Sequence, residues 1–383
     1  MCSRLRLQKL YLRMRIAIAT DSFKGSLTSL EAAEAIKAGI KGACRECEVF
    51  ICPIADGGEG TVRALVTARG GIFRAAEVEG PLGRIIMAEW GIIDGNTAVI
   101  EMASAAGITL LGREQYDPVH ASTYGVGQLI RNAINEGIRS FIIGLGGSAT
   151  NDGGAGMLEA LGYEFLDEAG NCIPRGAEGL KVLARISCDN VVPELKECSF
   201  RLLCDVKNPL CGPNGCSKIF GPQKGATEEQ IADMDSWLQH YADVAGGDSG
   251  AVSTGAAGGL GFAFQTFLGA VPERGIDVIT DASGLEKVIS ESDIVITGEG
   301  RIDAQTVMGK APYGVATIAK KYNKKVIAFC GVMSDDADIC YEKGIDMICP
   351  TCRNGVVTSS MLEKENASAA LTDAARTMME ELI

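Results

Sequence analysis

Short apolar runs alternate along this chain with stretches in which apolar residues return every three or four positions. The run RIAIAT at 15–20 is nearly unbroken, as expected of a strand buried on both faces. In TSLEAAEAIKAGIKG at 28–42, Leu30, Ala33, Ile36 and Ile40 recur at helical spacing, which predicts an amphipathic helix. Thr28 followed by Glu31 is the capping-box pattern for its start. EVFICPI at 48–54 predicts the next strand and TVRALVTARG at 61–70 the next helix. This βαβα alternation needs parallel strands with helices packed over them.

The far end repeats the pattern. DIVITGEG (293–300) reads as a strand entering a glycine loop, and APYGVATIAKKYN as a helix with Pro312 in its first turn. KVIAFCG, a helix near DDADICYEKG, strand IDMICP and a last helix from about 366 follow. The middle differs. Residues 73–119 predict three strands joined by PLG and DGN turns, and 166–286 hold irregular stretches, a helix from Thr227 to Tyr241 and the Gly/Ala-rich STGAAGGLGFAFQTFLGA. The expected fold is α/β with two domains. Residues 14–72 and 287–383 form a doubly wound flavodoxin- or Rossmann-like domain, and 73–286 an inserted second α/β domain. Part of 120–165 could belong to the first, and the active site is expected in the cleft between the two.

The chain's 383 residues fit two domains better than one core. A net charge of −13 argues against nucleic acid or an anionic membrane as partner. No apolar run of about 18 residues occurs, and MCSRLRLQKLYLR at 1–13 lacks an apolar core or cleavage site. It reads as an N-terminal extension or upstream start, and the protein as cytoplasmic. Fourteen cysteines include two C-x-x-C pairs, Cys44/Cys47 and Cys349/Cys352. With the pairs far apart and only His120 and His240 available, a zinc site is not expected. Nor are structural disulfides, in a reducing compartment.

Four loops at predicted strand ends are rich in glycine and acid: TDSFKGS, ADGGEGT, LGGSATNDGGAG and TGEGRID. In a doubly wound sheet such loops gather at the carboxyl edge, where ligands bind. GLGGSATNDGGAG at 144–156 holds six glycines between a strand and a helix. That arrangement would present backbone N–H groups and a helix dipole to a phosphate or carboxylate. A P-loop signature is absent. GLGGSA can be aligned with the dinucleotide fingerprint, with Asp167 near the place of a ribose-binding acid, so a dinucleotide-dependent oxidoreductase stays open at this point. Asp21, Asp56, Asp152, Asp205, Glu299 and Asp303 lie in or beside these loops or strand ends, as do Lys24, Lys224 and Arg301 in glycine-containing loops. Carboxylates for a metal and cations for an anion are the parts of a phosphoryl-transfer site.

DSFKGSL, PIADGGEGT, GPLG, IEMASAAG, GGSATNDGGAGM, CDVKNPLCG, IFGPQKGA, GAAGGLG and TGEGRID occur in this order. In these motifs the chain, from about Met14 to near its end, resembles the bacterial glycerate kinases of the glycerate 2-kinase type. The resemblance implies ATP-dependent phosphorylation of D-glycerate to 2-phosphoglycerate with Mg²⁺, the 3-hydroxyl being the other regiochemistry to consider. On it, the backbone of Gly146, Gly147, Ser148, Ala149, Thr150 and Asn151 would hold the ATP phosphates. Lys24 and Arg301 would pair with the glycerate carboxylate, with Asp56 and Glu299 beside them in the substrate site. Lys224 would meet the transferring phosphoryl group. Asp152 and Asp205 are the metal candidates. Asp205 is also the expected base, placed after a buried strand where desolvation would raise its pKa. His120 and Val126 stand where the family commonly has Thr.

Overall fold

The computed structural model describes residues 14–23, 25–52, 54, 60–352 and 358–383. In chain order its strands are β1 (Arg15–Thr20), β2 (Glu48–Ile51), β3 (Ile72–Glu79), β4 (Ile85–Ile93), β5 (Thr97–Glu101), β6 (Ser140–Gly144), β7 (Glu164–Leu166), β8 (Arg185–Ser187), β9 (Ser199–Leu203), β10 (Val271–Glu273), β11 (Ile294–Ile302), β12 (Lys325–Met333) and β13 (Met347–Pro350). They fall into two compact α/β units. One is built from the described residues up to 56 and from 276 onward, the other from residues 57–275.

The first unit carries one sheet in the order β13-β12-β11-β1-β2, every neighbouring pair parallel. This is the flavodoxin-like arrangement, and the strand order reverses between β1 and β11. Ile16, Ile18, Ile296, Ile327 and Phe329 are buried in its core, each worth roughly 1.5–3 kcal/mol on leaving water. The helix Ser29–Ala43 begins at the expected capping box. Thr28 Oγ1 accepts the Glu31 N–H at 3.3 Å, and Glu31 accepts the Thr28 N–H at 2.9 Å. This helix meets the helix Lys364–Leu382 so closely that a Cβ on Gly39 would run into the Thr372 carbonyl.

Two expectations are corrected in this unit. TGEGRID is strand rather than loop as far as Ile302, because the ladder to β12 continues through Arg301–Val332 and Ile302–Met333. Cys44 and Cys47 form a disulfide across a Cα separation of 5.6 Å. A C-x-x-C pair at a helix end brings two Cα atoms within the span that bond requires.

The second unit holds a six-stranded sheet, β10-β9-β6-β5-β4-β3. It is antiparallel from β3 to β5 and parallel from β5 to β10. Phe141 and Phe200 stack across β6 and β9 with centroids 4.8 Å apart. Phe264, on the helix Ala256–Leu268, tilts against Phe200 at 5.5 Å. The Gly/Ala-rich segment becomes this helix, and it enters through Ala257, Gly258 and Gly259, all left-handed. Among the described residues, no helix is long and apolar enough to cross a membrane.

Candidate active site

The glycine-rich loop leaves β6 at Gly144 and runs to the helix Ala155–Ala160. Its organising residue is Asp152, which is wholly buried. Asp152 Oδ2 accepts the N–H and the hydroxyl of Thr123, each at 2.8 Å, and the Gly156 N–H at 3.3 Å. Oδ1 accepts the Gly154 N–H at 3.1 Å. The Met157 N–H donates to Thr123 Oγ1 at 3.0 Å. The first donors of this short helix, where a ligand anion was expected, are therefore taken by the chain's own carboxylate and by Thr123. Asp152, a metal candidate from the sequence, thus has four donors on its two oxygens and is wholly buried. Burial pushes its carboxyl pKa up, and the four hydrogen bonds oppose that shift.

Lys224 closes the loop from the other side. It ends the turn Pro222–Lys224, is 2% exposed, and donates from Nζ to Ser148 Oγ at 2.8 Å and to the Thr150 carbonyl at 2.6 Å. Burial lowers its pKa to about 8. Lys224, expected to meet the transferring phosphoryl group, is turned into the protein and uses two of its three donors on the loop. Gly258, with φ of 66°, lies on the Thr150 backbone where a Cβ would collide with the carbonyl oxygen. Asn151 donates from Nδ2 to Ser217 Oγ at 2.8 Å. Of the six residues expected to hold phosphates, Ser148, Ala149, Thr150 and Asn151 are buried. Gly146 and Gly147 reach the surface, Gly147 with φ of 77°. Two buried atoms in the loop, Thr150 Oγ1 and Asn151 Oδ1, make no hydrogen bond, a costly state for polar groups away from water.

Asp205 lies two residues beyond the end of β9 and is exposed. Its Oδ1 accepts the Gly275 N–H at 3.1 Å. The desolvation expected to make Asp205 a base is not found there, because the buried strand ends before it. His120 pairs with Asp117 at 2.7 Å and Glu178 at 3.3 Å on the surface, while Val126 is core.

In the first unit, the reversal point between β1 and β11 gathers a second set of groups. Asp21 follows β1, is 6% exposed, and donates its N–H to the Gly298 carbonyl at 2.8 Å. Glu299 and Arg301 lie two residues apart on β11 and so share a face of the sheet. Glu299 is 9% exposed, and Arg301 is exposed, with Nη1 3.5 Å from Ser334 Oγ. The chain then turns back. Thr306 donates its hydroxyl to Glu299 Oε1 at 2.7 Å and accepts the Asp303 N–H at 3.2 Å. Lys310, at the start of the helix Ala311–Lys321, lies 3.4 Å from Glu299 Oε2 and 3.2 Å from Asp303 Oδ1. Burial pushes the Glu299 pKa up, and Thr306 and Lys310 pull against it. Lys24 and Asp56 lie outside the described residues.

Thr123, Thr306 and Lys310 were not singled out in the sequence. For Lys310 the signal was the pair Lys-Ala before Pro312, which puts a cation at the mouth of a helix. Thr123 had no local signal; its partner is 29 residues away.

A flavodoxin-like unit with carboxylates and cations at its reversal point, and a second α/β unit with a braced glycine-rich loop, are each of a kind that binds small anionic ligands. Comparison with known proteins narrows the class. Residues 16–382 match the model of the glycerate kinase family. The Escherichia coli (strain K12) glycerate 2-kinase is 47% identical over 341 residues, 88% of this chain and 90% of that protein. The glycerate kinase of Bacillus subtilis (strain 168) is 46% identical over 88% of this chain and 89% of its own. A crystal structure from Salmonella typhimurium LT2, assigned as a glycerate kinase 2, superposes with a TM-score of 0.84 at 43% identity, covering 97% of this chain and 98% of that one. The chain belongs to the glycerate kinase family, and is a phosphotransferase of α/β fold. The dinucleotide reading finds no support in these matches.

Proposed function

We propose that this kinase transfers the γ-phosphoryl group of ATP to the 2-hydroxyl of D-glycerate. The observation that carries the reading is the family match over residues 16–382, joined to 47% identity with a relative named glycerate 2-kinase. Gly146 and Gly147 offer backbone to the ATP phosphates. Lys224, Asp152 and Gly258 hold that loop in shape from behind. Arg301 and Lys24 take the carboxylate of glycerate, with Glu299 and Asp56 beside it. Among the described residues no group of three or more His, Cys, Asp or Glu could hold a metal ion. Mg²⁺ in a kinase takes one or two carboxylates and otherwise phosphate oxygens and water. Asp205, being exposed, is the carboxylate of choice, and the ion would neutralise charge on the phosphates. We place the enzyme in the cytoplasm, with small molecules rather than nucleic acid as partners; the net charge of −13 favours this.

The test is ³¹P NMR of the protein with Mg-ATP, with and without D-glycerate. Glycerate-dependent 2-phosphoglycerate is the expected product. Formation of the 3-phospho ester would overturn the regiochemistry, and absence of any phospho ester would overturn the substrate.

A further inference from the structure

We infer that Glu299 is the general base that takes the proton from the acceptor hydroxyl, and that Thr306 and Lys310 are the residues that position it. The inference rests on the glycerate kinase reading above.

Three observations of place and contact carry it. Glu299 lies in the carboxyl half of β11, one residue past its last pairing with β1 at Gly298, beside the strand-order reversal where doubly wound sheets bind ligands. It shares a face with Arg301, two residues on, at a spacing of about 6.6 Å along a parallel strand. A hydroxy acid with its carboxylate on the Arg301 guanidinium can therefore turn a hydroxyl toward Glu299. Third, among the described residues the carboxylate is held but not saturated. An ionised carboxylate has about four lone-pair directions. Thr306 supplies a hydrogen bond to Oε1 at 2.7 Å, and Lys310, at 3.4 Å from Oε2, supplies charge without a tight hydrogen bond.

Asp205 has no such setting, being exposed beyond its strand. Asp152 has the burial, but its oxygens are filled by four donors. Glu299 combines burial with spare capacity, and burial raises its pKa, the direction a base working near neutrality needs. Among the described residues, the charged and titratable groups that act on it are Lys310 and Asp303 on the following turn, Cys330 on β12 and Cys340 on the helix Ile339–Glu342. Asp303 shares the Lys310 charge, so the lysine does not suppress the basicity of Glu299 outright.

In the step, the acceptor O–H proton passes to Glu299 as the oxygen forms its bond to the γ-phosphorus. The bond from that phosphorus to the β,γ-bridging oxygen breaks, and ADP leaves with the electron pair. Glu299 then returns its proton to solvent.

Steady-state kinetics of wild type, Glu299→Gln and Lys310→Met against pH test this, with purified protein, Mg-ATP and D-glycerate. Glu299→Gln should lose about 10²–10⁴-fold in kcat, the range of a general base, with the KM for ATP within a few-fold. The rise of kcat with pH on the acid side should vanish in Glu299→Gln. In Lys310→Met it should move to higher pH, because removing the cation disfavours the carboxylate. A Glu299→Gln enzyme within tenfold of wild type, or one that keeps the acid limb, overturns the assignment. So does a Lys310→Met limb that stays in place. Should Glu299→Gln not fold, the Lys310→Met profile decides alone. Wild type that turns over ATP without dependence on glycerate would instead sink the substrate reading.

Discussion

The Lys224 ammonium lies 2.6 Å from the Thr150 carbonyl oxygen, and the same nitrogen holds the Ser148 hydroxyl at 2.8 Å. One buried cation thus grips the glycine-rich loop at two points, and loop shape becomes coupled to a proton. Burial lowers the lysine from 10.5 to about 8. Between those values the folded chain binds fewer protons than the unfolded one, so stability rises with pH across the window. The full effect is roughly 3 kcal/mol. Urea unfolding of wild type and Lys224→Met at about pH 7.5 and pH 10 reads this difference. Wild type should gain on the variant at the higher pH; a constant gap would mean that Lys224 titrates as an ordinary lysine.

Asp152 is the loop's other charge, and every partner it has is a donor. In Asp152→Asn the amide nitrogen must face an N–H on one side or the other. A buried group left facing its own kind costs about 1–3 kcal/mol, more when a charge was involved. The variant should melt several degrees lower and lose affinity for ATP. Wild-type melting would show that the site relaxes around the amide.

Gly258 and Gly269 make a controlled pair. Both have positive φ, 66° and 62°, but a Cβ on Gly258 strikes the Thr150 carbonyl whereas one on Gly269 meets open space. Gly269→Ala should cost only the left-handed penalty, about 1–2 kcal/mol. Gly258→Ala should cost clearly more and raise the KM for ATP. Equal losses in the two melting curves would mean that the contact with Thr150 is unimportant.

Arg301 is exposed, and among the described residues its hydrogen bond is to Ser334 at 3.5 Å. Arg301→Ala should therefore leave the melting temperature nearly unchanged while raising the KM for glycerate more than tenfold. An increase confined to the KM for ATP would move this arginine to the nucleotide.

Where the sequence was legible, the signal was local. The capping box at Thr28 marks a helix start that the structure realises, and the helix expected from Thr227 begins there. The unbroken apolar runs at 15–20 and 325–330 become buried parallel strands. Such features depend on residues within one or two turns of each other, and periodicity or capping chemistry records them directly. The family motifs likewise stand in the chain as written and identify the glycerate kinases without coordinates.

Which face each loop residue turns outward was decided only by tertiary structure. Asp152, Lys224 and Asp205 stand in similar glycine-containing stretches, and composition treats them alike. Folding buries the first against Thr123, 29 positions away, buries the second against Ser148, 76 away, and leaves the third in solvent. Glu299 was visible as an acid beside glycines, but its burial and the turn that returns Thr306 and Lys310 to it were not. The chain by itself determined the elements, the family and the chemical types at hand. The charge state and reach of each group depend on desolvation and on partners brought in from distant sequence, and those exist only once the chain has packed.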